Sequence, residues 1–363
     1  MNEKSISLNQ MLFVIIQAQV GIGLLGLPYK AQKYAKGNSW ISVIVAWIFI
    51  QIFIIIIWML MKRHKGKTIL DISQLFLGKY LGKLINFSYS LYGVLVMSNV
   101  VILYADLIQR WILERTPRSV TTFLLVSTGI YLGKQNLRVI ARFLTIVNVV
   151  LLLLFVLSFF AFSNNLSFTN LLPLSQSNMK EIILGSYQVT LAMLGFEIML
   201  FIFPFVQGNE KQMFKKMTVA ITLVMITYLY FAILTLATFS PEEIAIIPEP
   251  VLYMLKGLSF HVVERIDMIF LSYWIIPIAT SFVIYLYISS SAAAQLFHKG
   301  KRKYPVWYIS ALVYGISFVF TDEIKIQMFS DFVSNISFIF IFAIPLVLLI
   351  LSIIFKNRGI SHN

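Results

Sequence analysis

Two short stretches carry residue types that suit an opened backbone rather than an unbroken helix. One is QVGIGLLGLP, Gln19 to Pro28; the other is LGFEIMLFIFP, Leu194 to Pro204. Pro28 has no N–H, so the carbonyl of Leu24 loses its helical partner, and Pro204 does the same to Leu200. Gly21, Gly23 and Gly195 let the chain leave helical angles and bring bare backbone close to another group. Both stretches sit in apolar runs long enough to cross a bilayer. Irregular backbone at that depth is tolerated only when it is buried in protein or lines a wet cavity. One glycine-rich break is equally well explained by close helix packing. Two breaks at matching places in two halves of a chain point to a midplane site. Free N–H groups at the start of a half-helix near Gly23 suit a carboxylate. Carbonyls freed near Gly195 suit an ammonium group, so a zwitterion such as an amino acid matches both. Glu197 is the only acidic residue deep in a span, and an intramembrane carboxylate is a functional candidate by default. It can stay protonated, cap a half-helix or carry a coupled proton. Gln17 and Gln19 either line the pathway or bridge helices.

The elements that must hold these residues follow from hydropathy. Of 363 residues, 59% are hydrophobic and 12% charged, and the mean hydropathy is +0.85. A soluble domain is nearer half apolar and a quarter charged. The chain is therefore an all-α polytopic membrane protein. The apolar runs predict ten spans, at 9–33, 39–61, 84–111, 118–133, 139–162, 181–206, 216–239, 261–297, 304–320 and 332–355. The eighth is too long for one crossing, which adds an extramembrane helical turn at one end. Residues 62–83 are basic with an amphipathic centre and are expected along the membrane surface. No linker interrupts the chain, so residues 1–363 read as a single integral membrane domain. Its halves cover about 9–162 and 181–355; with five spans each, they run in opposite directions. The first apolar run is too long for a signal peptide, and no small-x-small cleavage site follows it.

Charge sets the orientation. Lys4, the 62–83 stretch, Lys134, Arg138, Arg142, Lys211, Lys215, Lys216, the 299–303 loop, Lys356 and Arg358 hold 19 of the 29 lysines and arginines. Placing them in the cytoplasm puts both termini inside. The outer segment 240–267 is then acidic (Glu242, Glu243, Glu249, Glu264, Asp267), as is 321–331. The net charge of +14 is thus a topology signal, and no nucleic-acid binding is expected. There are no cysteines, which excludes disulfides, thiolate metal sites and a cysteine nucleophile. The four histidines lack metal spacing, and no phosphate loop or nucleophile elbow is present. Neither enzyme activity, a cofactor nor a metal is expected.

Glycine–x–glycine in the first span and glycine–Phe–Glu in the sixth resemble the amino acid/polyamine/organocation transporter superfamily. That superfamily has a LeuT-like five-plus-five inverted repeat with helices 1 and 6 broken. The N-terminal ISLNQMLFVIIQAQVGIGLLGLP, the later LGFEIMLFIFP, the length and the ten spans resemble one branch more closely. It is the spore germination permease family, the B subunit of endospore germinant receptors, and the resemblance covers essentially the whole chain. It implies a protein of the spore inner membrane that binds a small nutrient, often an amino acid, beside an A subunit and a C lipoprotein. The fold implies a ligand between helices one, three, six and eight. On helix one, Gly21, Ile22 and Gly23 would act through their N–H groups. On helix six, Leu194 would be a wall and Gly195 a source of open backbone. On helix three, Tyr92 and Val96 are spaced i, i+4 and share a face; Tyr92 would hydrogen-bond the ligand and Val96 limit its size. Tyr92 is as well explained by a local buried partner, and Asn99 is placed a different way round the helix. On helix eight, Ser281 and Tyr285 are again i, i+4, with Thr280 adjoining and Pro277 freeing the carbonyl of Tyr273. A membrane Ser or Thr often bonds only the carbonyl four residues back.

The chain departs from some transporting relatives. Helix five has no lysine at its middle, where certain proton-coupled relatives keep one in place of sodium; Arg142 and Asn148 are no obvious substitutes. Thr280 and Ser281 do not form a recognisable sodium cage. A nutrient sensor is the favoured expectation, and an amino acid permease coupled to protons or cations is the alternative. The loops hold no soluble domain, so signalling would need partner subunits. The basic loops 62–83 and 299–303 are candidate docking surfaces, and anionic membrane lipids explain their charge equally well.

Overall fold

The structure is a computed structural model and describes residues 5–163, 166–172, 176–258 and 265–356. Lys4, Glu264 and Arg358, which entered the charge argument, lie outside these residues. The first crossing is broken as its sequence demands. A two-residue strand, β1 (Ile6–Ser7), leads into α1 (Leu8–Gln19), which opens with a capping box between Ser7 and Gln10. The chain turns extended at Val20 and resumes as α2 (Gly23–Ala35) without a side-chain cap. The rest of the first half is α3 (Ser39–Arg63), α4 (Ile69–Trp111), α5 (Arg118–Gly133) and α6 (Leu137–Phe159).

The second half repeats the plan. α7 (Met179–Ala192) breaks, and the chain continues through α8 (Met199–Ile202), which has a 3-10 turn on each side. The two arms of this crossing are bent by 53°. The turn is made by Gly195, whose φ of +127° is open only to glycine. A Cβ there would also run into the carbonyl of Ala18 on α1. β2 (Val206–Gln207) comes next, then α9 (Glu210–Thr238), two short helices α10 (Pro241–Ile244) and α11 (Pro250–Lys256), and α12 (Ile266–Phe297). α13 (Lys303–Ile316) precedes α14 (Glu323–Phe338), which a π-helical turn joins to α15 (Ile344–Lys356).

Among the described residues six helical stretches are long and apolar enough to cross a bilayer, and the bent pair makes seven. The first of these stretches, Gly23–Arg63, holds both α2 and α3. With α1 and α2 taken as one broken crossing, α3 as the next, and the shorter α5 and α13 added, the helices make the ten crossings of a LeuT-like inverted repeat. An 18-residue window within residues 137–162 has a mean hydropathy of 2.8, yet only 22% of it is buried within the protein. Only lipid can cover such a face, and the protein is integral to a membrane.

Hydrogen bonds and ion pairs sort the loops into two faces. Ile6 pairs with Val206, Arg138 reaches Ser5, Gln295 reaches Asp71 and His64 reaches Ser352. Arg302 reaches Gln135. The 62–83 stretch, the 299–303 loop and the start and end of the described chain therefore share one face. Arg110 binds Glu249, Gln32 binds the Pro241 carbonyl and Arg118 reaches the Thr321 carbonyl on the other.

Two segments add detail that hydropathy does not give. The 62–83 stretch is divided between the end of α3 and the start of α4. Thr68 and Asp71 form a capping box that starts α4, and Gly78, at φ +75°, folds residues 69–77 back on the part of α4 that continues from Lys79. Ser73 donates to Asn86 Oδ1 at 2.8 Å, and Asn86 Nδ2 donates to the Leu70 carbonyl at 3.1 Å. The acidic segment 321–331 is mostly helix. The Asp322 side chain accepts the amide of Ile324, and Ile326, Phe329, Ser330 and Val333 bury one helical stripe. The tenth crossing thus begins nine residues earlier than its hydropathy indicates, with Asp331 inside it.

Candidate functional site

The two breaks meet and are tied to each other. Gln19, the last residue of α1, donates its amide to the Met193 carbonyl at 2.7 Å. The Tyr228 hydroxyl of α9 lies 2.9 Å from the Gln19 carbonyl and 3.0 Å from that of Ala192. Carbonyls opened by both breaks are thereby paired within the protein. The Gly195 carbonyl accepts the amide of Ile198 at 3.2 Å.

A cavity of about 110 Å³ remains beside the breaks. Gly21, Ile22, Gly23, Val96, Leu194, Ser281 and Tyr285 line it. These seven belong to the set expected from sequence, and they come from four crossings. Tyr92, Gly195 and Glu197 are not on its wall. They form a buried cluster instead. Tyr92 and Tyr285 both donate their hydroxyls to Glu197 Oε1, at 2.7 and 2.8 Å. The Gly195 amide donates to Oε2 at 2.8 Å. The carboxyl thus caps the break in the sixth crossing and fastens it to α4 and α12. Gly195 acts as the turn described above and offers no open backbone, because its amide and carbonyl are both used. Leu194 lines the cavity.

Ser281 has a packing part as well. Its hydroxyl lies within reach of the Pro277 carbonyl, four residues back, and of the Gln17 carbonyl. A Cβ on Gly21 would come within 2.8 Å of Ser281 Oγ, so the first break and α12 approach closely here. Thr280 joins Gln17 Oε1 at 2.9 Å, and Gln17 Nε2 lies 3.5 Å from Asn148 on α6. Gln17 therefore bridges helices.

What the cavity offers is set by groups without partners. The amides of Gly21, Ile22 and Gly23 make no hydrogen bond among the described residues. They surround the unpaired start of α2, where the helix dipole favours negative charge. Two buried oxygens, Gln19 Oε1 and Asn99 Oδ1, also lack partners among the described residues, and both side chains belong to residues that line the cavity. The residues around the cavity thus carry unpaired N–H donors at a helix start and, sealed within its wall, two unpaired amide acceptors.

Several lining residues were not singled out from sequence: Gln188 on α7, and Ser330, Ser334 and Ser337 on α14. Lys30 of α2 also reaches the wall. Asn99 was placed off the Tyr92–Val96 face. It lies three residues beyond Val96, and i, i+3 neighbours share a helix surface. The lining stripe of α4 is Val96, Asn99, Val100 and Leu103. A larger cavity of about 650 Å³ shares Lys30, Gln188, Leu191 and Ser334 with the first and opens to the face that carries Pro248 and Glu323. The small cavity is therefore approached from the side opposite the strand pair.

The geometry has relatives. A crystal structure of MhsT in complex with L-phenylalanine superposes with a TM-score of 0.71 at 14% identity, covering 98% of this chain and 90% of that one. The likeness shows the fold, that of a LeuT-like transporter. In sequence, spore germination protein GerQB of Bacillus cereus is 27% identical over 358 residues, 98% of each chain. Spore germination protein A2 of Bacillus subtilis (strain 168) is 27% identical over 345 residues, 92% of each. Spore germination protein B2 of the same organism is 21% identical over 369 residues, 99% of this chain and 98% of that one. The family profile described as Spore germination protein matches residues 5–326, nearly the whole chain. The chain belongs to the spore germination protein family.

Proposed function

We propose that this protein is the nutrient-binding subunit of a spore germinant receptor and that its ligand is a small zwitterion, an amino acid above all. One observation carries the proposal. Residues that line one 110 Å³ cavity at the helix breaks carry three adjacent amides and two buried amide oxygens, all without partners among the described residues. The carboxylate would lie against Gly21, Ile22 and Gly23, and the ammonium against Gln19 and Asn99. Val96, Leu194 and Tyr285 would bound the side chain. Drug-sized ligands occupy cavities of about 300–1,000 Å³, so this one fits a ligand of few heavy atoms. In this reading the Gly21–Gly23 amides and Ser281 would meet the ligand directly, whereas Tyr92, Gly195 and Glu197 would act from behind the wall. The A subunit and C lipoprotein would receive the signal, and the strand-pair face would be cytoplasmic in the spore inner membrane.

The test is thermal unfolding of the purified chain with amino acids, with the matching amines and with the matching carboxylic acids. Binding to the folded state alone raises stability as RT ln(1 + [L]/Kd). An amino acid is expected to stabilise where neither half-molecule does. Equal stabilisation by the amine or the acid alone would refute a zwitterion site. A permease reading has its own support in the transporter fold and the wide approach cavity. Accumulation of an amino acid in vesicles holding this chain alone would put it first.

A further inference from the structure

On the strand-pair face, the loops α5–α6 and α12–α13 border an open cavity of about 1140 Å³. Five cationic residues line it, Lys134, Lys299, Lys301, Arg302 and Lys303, and no acidic residue among the described ones does. Arg302 builds the floor. Its guanidinium is buried, donates to the carbonyls of Gln135 at 2.6 Å and Gly133 at 3.3 Å, and stacks over Tyr287 at 4.2 Å. This bolts the two loops together. Lys299 and Gly300 hold positive φ, and the Gly300 amide closes α12 on the Ala294 carbonyl at 2.9 Å. The concavity is thus a built shape.

The lysines are left over. Lys299, Lys301 and Lys303 make no ion pair among the described residues, and Lys134 lies only over the rings of Trp307 and Tyr131. The other basic stretch of this face differs. There Lys65 pairs with Glu210, and Lys62 lies 3.7 Å from the Trp58 ring. Topology alone explains an excess of positive charge on one face. It does not explain convergence on one cavity without a counter-charge, where like charges repel unless an anion enters. The rim carries Tyr304 and Trp307, both exposed, and such amphipathic rings sit at the headgroup level of a bilayer.

We propose that this pocket binds a phosphate-bearing anion, and that the anion is the headgroup of an anionic glycerophospholipid. Basic pockets between membrane helices recognise such headgroups by phosphate charge and depth. The test titrates short-chain phosphatidylglycerol into the purified full chain and follows the unfolding temperature. Phosphatidylcholine of the same chain length and inorganic phosphate are run beside it. The pocket variant is K134Q/K301Q/K303Q, and the control K79Q/K83Q/K215Q removes equal charge from exposed sites on the same face. Wild type and control are expected to rise together with phosphatidylglycerol and little with phosphatidylcholine. The pocket variant is expected to need about a hundredfold more lipid for the same shift. Lys301→Gln alone, at an exposed position, is expected to shift the midpoint the same way by less. Equal weakening of pocket and control variants would overturn the site in favour of diffuse surface charge. The same shift from inorganic phosphate would overturn the lipid assignment.

Discussion

At Gly21 there is almost no room for a side chain, and what fills the room is movable. The atom in the way is the hydroxyl of Ser281, whose other neighbours are carbonyls of Pro277 and Gln17. Gly21→Ala should therefore fold, at a small loss of level, while its methyl pushes Ser281 toward the cavity. The nutrient response is expected to fall far more than the amount of protein, measured as germination and immunoblot from the same spores. Parallel loss of both would make Gly21 a packing residue alone. In the proposed site Asn99 would supply an acceptor, and its Nδ2 makes only a long contact of 3.5 Å with Ser330. A hydrogen bond to a charged group contributes about 1.5–3 kcal/mol. Asn99→Ala should weaken amino acid binding by roughly 10- to 150-fold, read by calorimetric titration. Unchanged affinity would remove Asn99 from the ammonium site. Glu197 has two oxygens engaged by three donors. Glu197→Gln keeps one oxygen, so the tyrosines or the Gly195 amide lose an acceptor, at about 1–3 kcal/mol. The unliganded protein is expected to unfold several degrees earlier.

Among elements, the broken crossings share a fastening at one end. β1 enters α1 and β2 leaves α8, and the two pair in parallel. Arg138, at the start of α6, donates Nε to the Ser5 carbonyl at 2.8 Å and Nη2 to its hydroxyl at 3.1 Å. Gln207 Nε2 reaches the same hydroxyl at 2.8 Å, and Lys216 holds Asn9. This end is closed while the opposite one opens into the 650 Å³ cavity. Local opening is governed by few such contacts. Arg138→Ala should raise hydrogen exchange in residues 5–19 without raising it in α9 or α12. A rise in every helix would indicate general destabilisation instead. The long α12 is fixed differently, by small residues. Gly93 faces Ser289, and Ser90 and Ser289 exchange hydroxyl–carbonyl bonds at 3.1 and 2.7 Å.

For the whole molecule the decisive quantity is which loops share a face. The bonds Arg302–Gln135, Gln295–Asp71 and His64–Ser352 put the basic loops together, while Arg110–Glu249 ties the acidic ones. The chain has no cysteine, so single cysteines report cleanly. Cysteines at Tyr253 and Lys301 are expected to react with an impermeant reagent from opposite sides of sealed vesicles. Labelling of both from one side would contradict the fold.

Hydropathy and punctuation by themselves determined that the chain is helical, lies in a membrane and breaks its first and sixth crossings. Apolar length is a local property, and Pro28, Gly21 and Gly195 act on their own neighbours. Pairing across the protein was not local. That Gly195 faces the Ala18 backbone, or that Glu197 gathers Tyr92 and Tyr285, depends on helix rotations that no spacing rule states. The i, i+4 pairing of Tyr92 with Val96 was correct about the helix and silent on depth: Val96 meets the cavity, and Tyr92, one turn earlier, is buried behind it. Asn99 was missed because a helix face was drawn too narrowly. Gln188 and the serines of α14 were missed because polar residues in a span look alike until something buried faces them. The tertiary structure decided which polar groups keep partners. Among the described residues it left three amides of the first break and the side-chain oxygens of Gln19 and Asn99 without any, because an opened backbone loses its helical acceptors and a buried amide side chain finds a donor only where packing supplies one.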